Sequence, residues 1–165
     1  MQVATIRAWQ MKQMEDNLKS VKWLVRSQMP EALRTFRDGG EGWTVLEVLC
    51  HLRDFEEVFQ ERARLAVEQE VPALPFPDPD ELARERHYNE QSLDVVLAAW
   101  QGRRDQLLAY LRARSEADWE RLAQHPTRGE MSLFDQLFLI PQHDSLHLEQ
   151  MTRILYEKRR SAGAG

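Results

Sequence analysis

The chain has one cysteine, Cys50, so an internal disulfide framework is excluded and a reducing, cytoplasmic location is the expectation. Long hydrophobic runs are missing as well. Nothing approaches the roughly 20 apolar residues that a membrane-spanning helix needs. No basic segment followed by an apolar one opens the chain, which argues against a secretory signal. Positive charge is short: 22 Lys and Arg against 27 Asp and Glu leave a net charge of −5. A domain that binds nucleic-acid phosphates is normally basic, so no nucleic-acid partner is expected, and no membrane. Glycine and proline are scarce too, seven of each in 165 residues. They cluster, and the clusters divide the chain.

Gly39, Gly40 and Gly42 form one break, Pro72, Pro75, Pro77 and Pro79 a second, and Pro126 with Gly129 a third. Between them the apolar spacing is helical, with almost no strand-type alternation. The composition, 42% apolar and 30% charged, is that of a folded globular chain. One domain spanning 1–165 is expected, all-α, with four long helices at about 5–37, 44–70, 92–114 and 132–158. In the first segment Pro30 should kink or interrupt the helix. Thr44 and Glu47 form a capping-box pattern at the start of the second, and Ser132 with Asp135 another at the start of the fourth. Ser115 to Asp118 reads as a further capped turn. The proline-rich stretch from Val71 to Asp80 reads as a crossover loop, with a short helical piece from Asp80 to Tyr88. The link through Pro126 and Gly129 reads as irregular. Lys158, Arg159 and Arg160 suit the negative end of the last helix, and Ser161 to Gly165 should fray.

Chemistry gathers on three histidines. In Pro141-Gln142-His143-Asp144-Ser145-Leu146-His147 the two imidazoles stand four residues apart and share one helix face, so both can reach a single ion. His51, two turns into the second helix, falls near the inward stripe with Leu52 and Phe55. Neutral imidazole is a ligand for zinc and also suits nickel, iron and copper. Three such ligands leave a coordination position open, the mark of a catalytic site. The spacing alone is equally compatible with semi-buried histidines held by hydrogen bonds. Pro141 frees the carbonyl of Leu137 and bends the axis just ahead of the pair. Glu47 and Asp54 beside His51, and Asp144 and Gln150 beside the pair, are the candidates to orient the rings from behind. His87 and His125 read as surface residues, Cys50 as a small buried side chain, and the five tryptophans as core or interface. A carboxylate-bridged di-iron bundle needs two Glu-x-x-His pairs, and the chain offers only Asp144-x-x-His147.

Two motifs carry a family resemblance: Gly42-Trp43-Thr44-Val45-Leu46-Glu47-Val48-Leu49-Cys50-His51-Leu52 and His143-Asp144-Ser145-Leu146-His147-Leu148-Glu149-Gln150. With a histidine early in the second helix, a long crossover, and His-x-x-x-His in the last helix, the chain resembles the DinB-like (DinB/YfiT) superfamily. The resemblance implies an up-down-down-up four-helix bundle with a long crossover between helices 2 and 3. It implies a divalent metal, zinc or nickel, on His51, His143 and His147, and a homodimer. It further implies a metal-dependent transferase that joins a small-molecule thiol to a small electrophile. A metal-dependent hydrolase on the same three histidines is the first alternative, and a non-catalytic dimeric stress-response bundle the second.

Overall fold

A computed structural model of the chain describes residues 2–163, with side chains through residue 157. Its long helices are α1 (Val3–Arg26), α3 (Val45–Glu68), α5 (Leu93–Arg112) and α7 (Leu133–Gly163). Three short helices, α2 (Ala32–Thr35), α4 (Pro79–Glu85) and α6 (Glu116–Trp119), lie in the connections. A two-stranded antiparallel hairpin, β1 (Leu122–His125) and β2 (Gly129–Ser132), precedes α7.

The helices begin where side chains can satisfy the orphan amides of a first turn. The Thr44 hydroxyl accepts from the Glu47 amide at 3.2 Å, and Glu47 Oε2 accepts from the Thr44 amide at 2.7 Å. Ser115 with Asp118 repeats the box at α6, and Ser132 with Asp135 at α7. The Asp78 carboxylate accepts from the amides of Asp80 and Glu81, and Pro79 supplies a first helical residue that has no N–H to leave unpaired.

Two halves of the core give the directions of the helices. One half gathers Leu18, Val21 and Val25 from late α1, Leu46 and Leu49 from early α3, Val96 and Leu97 from early α5, and Ile154 from late α7. The other gathers Met11 and Met14 from early α1, Phe59 and Ala63 from late α3, Leu108 and Leu111 from late α5, and Leu137 from early α7. Hence α1 and α7 run one way and α3 and α5 the other, the up-down-down-up order. Parallel α3 and α5 require the chain to travel back along the bundle between them. The segment from Gln69 to Ser92 makes that crossing. It is pinned midway, where Leu74 N–H donates to Gln124 O and Gln124 N–H to Pro72 O.

Several expectations are corrected. The first helix does not run to residue 37: it stops at Arg26, and only Ala32–Thr35 resumes it. Pro30 has no N–H to donate and disfavours a helical residue before it, so the break falls ahead of the proline. The link around Pro126 is a regular hairpin. His125 pairs with Gly129 around a three-residue turn, and Gly129 closes it at φ +79°, a conformation that glycine adopts without steric cost. Four-residue strands are too short to display a period of two. Of the tryptophans, Trp100 and Trp119 are buried and Trp43 half-buried, but Trp9 and Trp23 are 59% and 76% exposed. α7 continues to Gly163, so residues 161–163 are helical where fraying is expected, and the last two residues of that expectation lie outside those described. The side chains of Lys158, Arg159 and Arg160 also lie outside.

Candidate metal centre

The antiparallel packing of α3 against α7 brings His51 level with His143 and His147, which project one turn apart from the facing surface of α7. His51 Nε2 lies 2.9 Å from His143 Nε2, and His147 Nε2 lies 3.2 Å from the same atom. One ligand nitrogen from each ring falls within 4.8 Å of both others. Aromatic neighbours fix the ring planes. Phe55 stacks on His143 at 5.3 Å and contacts His51 at 4.2 Å, Phe59 meets His143 edge-on, and Trp43 lies 5.0 Å from His51.

The surroundings keep the imidazoles neutral. Burial, with the neighbouring His147, pushes the His51 pKa down to about 3. Burial and the two other rings push His143 well below the usual histidine range, and burial lowers His147. A neutral ring offers a lone pair, the form that coordinates a metal. The His147 tautomer is set from behind: Nδ1 donates to Gln150 Oε1 at 2.8 Å, and Gln150 Nε2 donates in turn to Asp38 at 3.0 Å. The His147 lone pair therefore lies on Nε2, toward the other two rings. His51 Nδ1 and His143 Nδ1 are buried without a hydrogen-bond partner. Three neutral imidazoles converging from two helices are a donor set that fits zinc or nickel.

Of the four residues expected behind the rings, Gln150 is the one hydrogen-bonded to a ring among the described residues. Glu47 is occupied by the helix cap and by Arg37 at 3.1 Å. Asp54 faces α5 and the crossover, where it accepts from Arg53 and Arg103 at 2.7 Å, from Tyr88 at 2.8 Å, and pairs with Arg86 at 2.9 Å. Asp144 is turned about 100° around the helix from His143, and its carboxylate pairs with Arg104 at 2.8 Å. Arg104 also pairs with Glu56, and all three are buried. Asp144, next to His143 in sequence, thus serves the bundle interior.

His125 corrects another expectation: it is buried, 3% exposed, not a surface residue. The hairpin carries it over a cavity of about 200 Å³ that opens beside His143. Phe55, Phe59, Arg62, Phe76 and Arg128 also line this space. His87 is exposed, as expected, and Cys50 is buried, with its thiol donating to Tyr88 O and its pKa raised to about 12 by burial. Arg62 went unrecognised in the sequence, although His51, Phe55, Phe59 and Arg62 recur at helical steps and mark one stripe. His125 has no such signal beyond the turn that follows it.

The sequence model of the DinB superfamily matches residues 13–151. OB0782 of Oceanobacillus iheyensis, named as a candidate metal-dependent hydrolase, is 29% identical over 154 residues, covering 93% of this chain and 87% of its own. YuaE of Bacillus subtilis is 27% identical over 134 residues, covering 72% and 80%. Among solved structures, YfiT of Bacillus subtilis matches with a TM-score of 0.83 at 25% identity, over 94% of this chain and 87% of that one. It is described as a candidate metal-dependent hydrolase with an unusual four-helix bundle topology. A mycothiol-dependent maleylpyruvate isomerase matches with a TM-score of 0.72 at 12% identity, over 88% of this chain and 60% of that one, a likeness of fold alone.

Proposed function

The chain belongs to the DinB superfamily, and from that premise we propose that it is a metal-dependent enzyme whose nucleophile attacks a small electrophile beside His143. The observation that carries this reading is the meeting of three neutral imidazoles, one of which, His143, also lines a cavity. His51, His143 and His147 would hold the ion, zinc or nickel, and Gln150 orients His147. Such an ion supplies Lewis acidity, which lowers the pKa of a nucleophile that binds beside the three nitrogens. Phe55 and Phe59 exclude water from one side and position the apolar part of a substrate.

Two nucleophiles separate two readings. Water makes the protein a hydrolase, the reading favoured by the names of OB0782 and YfiT. A low-molecular-weight thiol makes it a transferase, for which the support is the fold shared with a mycothiol-dependent isomerase. Two measurements test the proposal. Elemental analysis of purified His51→Ala, His143→Ala and His147→Ala should show loss of stoichiometric metal in each; full metal content in any one removes that residue from the site. Metal-loaded protein is then given an activated ester and an alkyl halide, with and without thiol. Turnover that ignores the thiol identifies the hydrolase, and turnover that requires it the transferase. Neither, with metal in place, leaves a bundle that binds metal without catalysis.

A further inference from the structure

Arg62 stands three turns beyond His51 on the same stripe of α3. Its guanidinium lies 5.9 Å from the centre of the Phe59 ring and 5.7 Å from that of Phe76, and the residue is 4% exposed. Nε donates to Pro75 O at 2.9 Å, but Nη2 is buried and has no partner. The charged neighbour is a second cation: burial and Arg128 pull the Arg62 pKa down to about 10, which still leaves it protonated at neutral pH. Among the described residues, no acidic side chain lines the cavity that Arg62 borders. A buried cation without a counter-ion is costly to hold. The aromatic faces on either side offset part of that cost, and an anion in the cavity would offset more.

His125 adds a donor from the hairpin. Its Nδ1 accepts from the Thr127 amide at 3.2 Å, so the ring proton sits on Nε2. Arg128 follows in the turn that Gly129 closes. Two guanidinium side chains and the His125 imidazole therefore border a space walled mainly by Phe55, Phe59, Phe76, Leu139 and Leu146, with Thr127, Gln142 and His143 as its other polar groups.

We propose that Arg62, Arg128 and His125 form an oxyanion subsite that holds the carboxylate of a small, otherwise apolar substrate. This deepens the function proposed above and rests on it in one respect, that the reacting end of the substrate lies at His143. The carboxylate subsite itself needs no metal. Planar guanidinium groups match a carboxylate with paired, charge-assisted hydrogen bonds. An uncharged amide of the same shape leaves those donors poorly satisfied.

The test compares benzoate with benzamide by calorimetric or NMR titration, on protein as purified and after chelator treatment. Benzoate should bind at least tenfold more tightly than benzamide in both preparations, the fold-change that a charge-assisted hydrogen bond provides. Arg62→Met retains contact with Phe59 and Phe76 and should lose the preference. Equal affinity for the two probes, no binding of either, a preference that vanishes with the metal, or one unchanged in Arg62→Met overturns the subsite. If Arg62→Met does not fold, the exposed Arg128→Gln decides: a severalfold loss of the preference supports the subsite and an unchanged one overturns it. Metal content measured on the same samples keeps the two ideas apart. Purified protein that holds no metal, takes none up when zinc or nickel is supplied, and still prefers benzoate sinks the metal enzyme and spares the subsite, and a metal-loaded one without the preference does the reverse.

Discussion

At the residue scale, what each candidate ligand needs is a fixed tautomer, and the sequence announced the rings more readily than the groups behind them. His143 and His147 are readable because four residues is one helical turn. The role of Gln150 is readable only by position, three residues on, and it depends on Asp38 from a distant turn to point its carbonyl at the ring. Gln150→Ala should weaken metal affinity by roughly 10- to 100-fold while leaving the fold intact, as the loss of such a supporting hydrogen bond does. Competition against a chelator of known affinity measures it. The adjacent Asp144 behaves in the opposite way. Its carboxylate and that of Glu56 are pushed above the usual range by burial, with Arg104 opposing the shift from between them. Arg104→Met removes the shared counter-charge and leaves both acids stranded in the core. Breaking a buried pair from one side costs about 3–5 kcal/mol, so denaturant unfolding should show a loss of that order. Wild-type stability in this variant would show that Arg104 holds no net charge balance in the core. Nothing in the pattern of the sequence pairs Arg104 with residues 40 and 48 positions away.

At the scale of elements, legibility followed chemistry that acts over three or four residues. The capping boxes at Thr44, Ser115 and Ser132 are local hydrogen bonds, and all three stand where the sequence places them. The hairpin was not legible, because its four-residue strands show no period of two and part of their support comes from outside the segment, where Gln124 pairs with Pro72 and Leu74 in the crossover. Gly129 makes the turn possible. A methyl group there would meet no atom within 4 Å, so the cost of Gly129→Ala is backbone strain alone at φ +79°. That strain is about 1–2 kcal/mol, and the melting temperature should fall accordingly. The variant should also loosen the cover over the cavity, because His125 precedes that turn and Arg128 lies in it.

At the scale of the whole molecule, the three breaks marked by glycine and proline separate the long helices, and the longest of them, the crossover, joins α3 to a parallel α5. The interior that results is more polar than the apolar stripes promise. Asp54, 2% exposed, binds α3 to α5 and to the crossover through Arg53, Arg103, Arg86 and Tyr88. Burial works to raise its pKa, but the hydrogen bonds from Arg53, Arg103 and Tyr88 outweigh burial and hold it at about 2, below the ordinary value of 3.8. Because the folded value is the lower one, the unfolded chain takes up its proton first as the pH falls. The stabilisation is therefore complete above about pH 4 and is lost between about pH 4 and pH 2, an amount on the order of 2 kcal/mol. Glu56 and Asp144, whose carboxyls are raised, contribute the opposite slope, since their stabilisation is present in acid and lost as the pH rises through their folded values. The sum in the wild-type protein mixes the two, so the Asp54 contribution has to be read as a difference. The gap in unfolding free energy between wild type and Asp54→Asn should be constant from neutral pH down to about 4 and should then narrow by about 2 kcal/mol toward pH 2. A gap that keeps one width across that range would mean the carboxylate gains nothing from its three arginines and that neutral hydrogen bonds alone tie the crossover to the bundle.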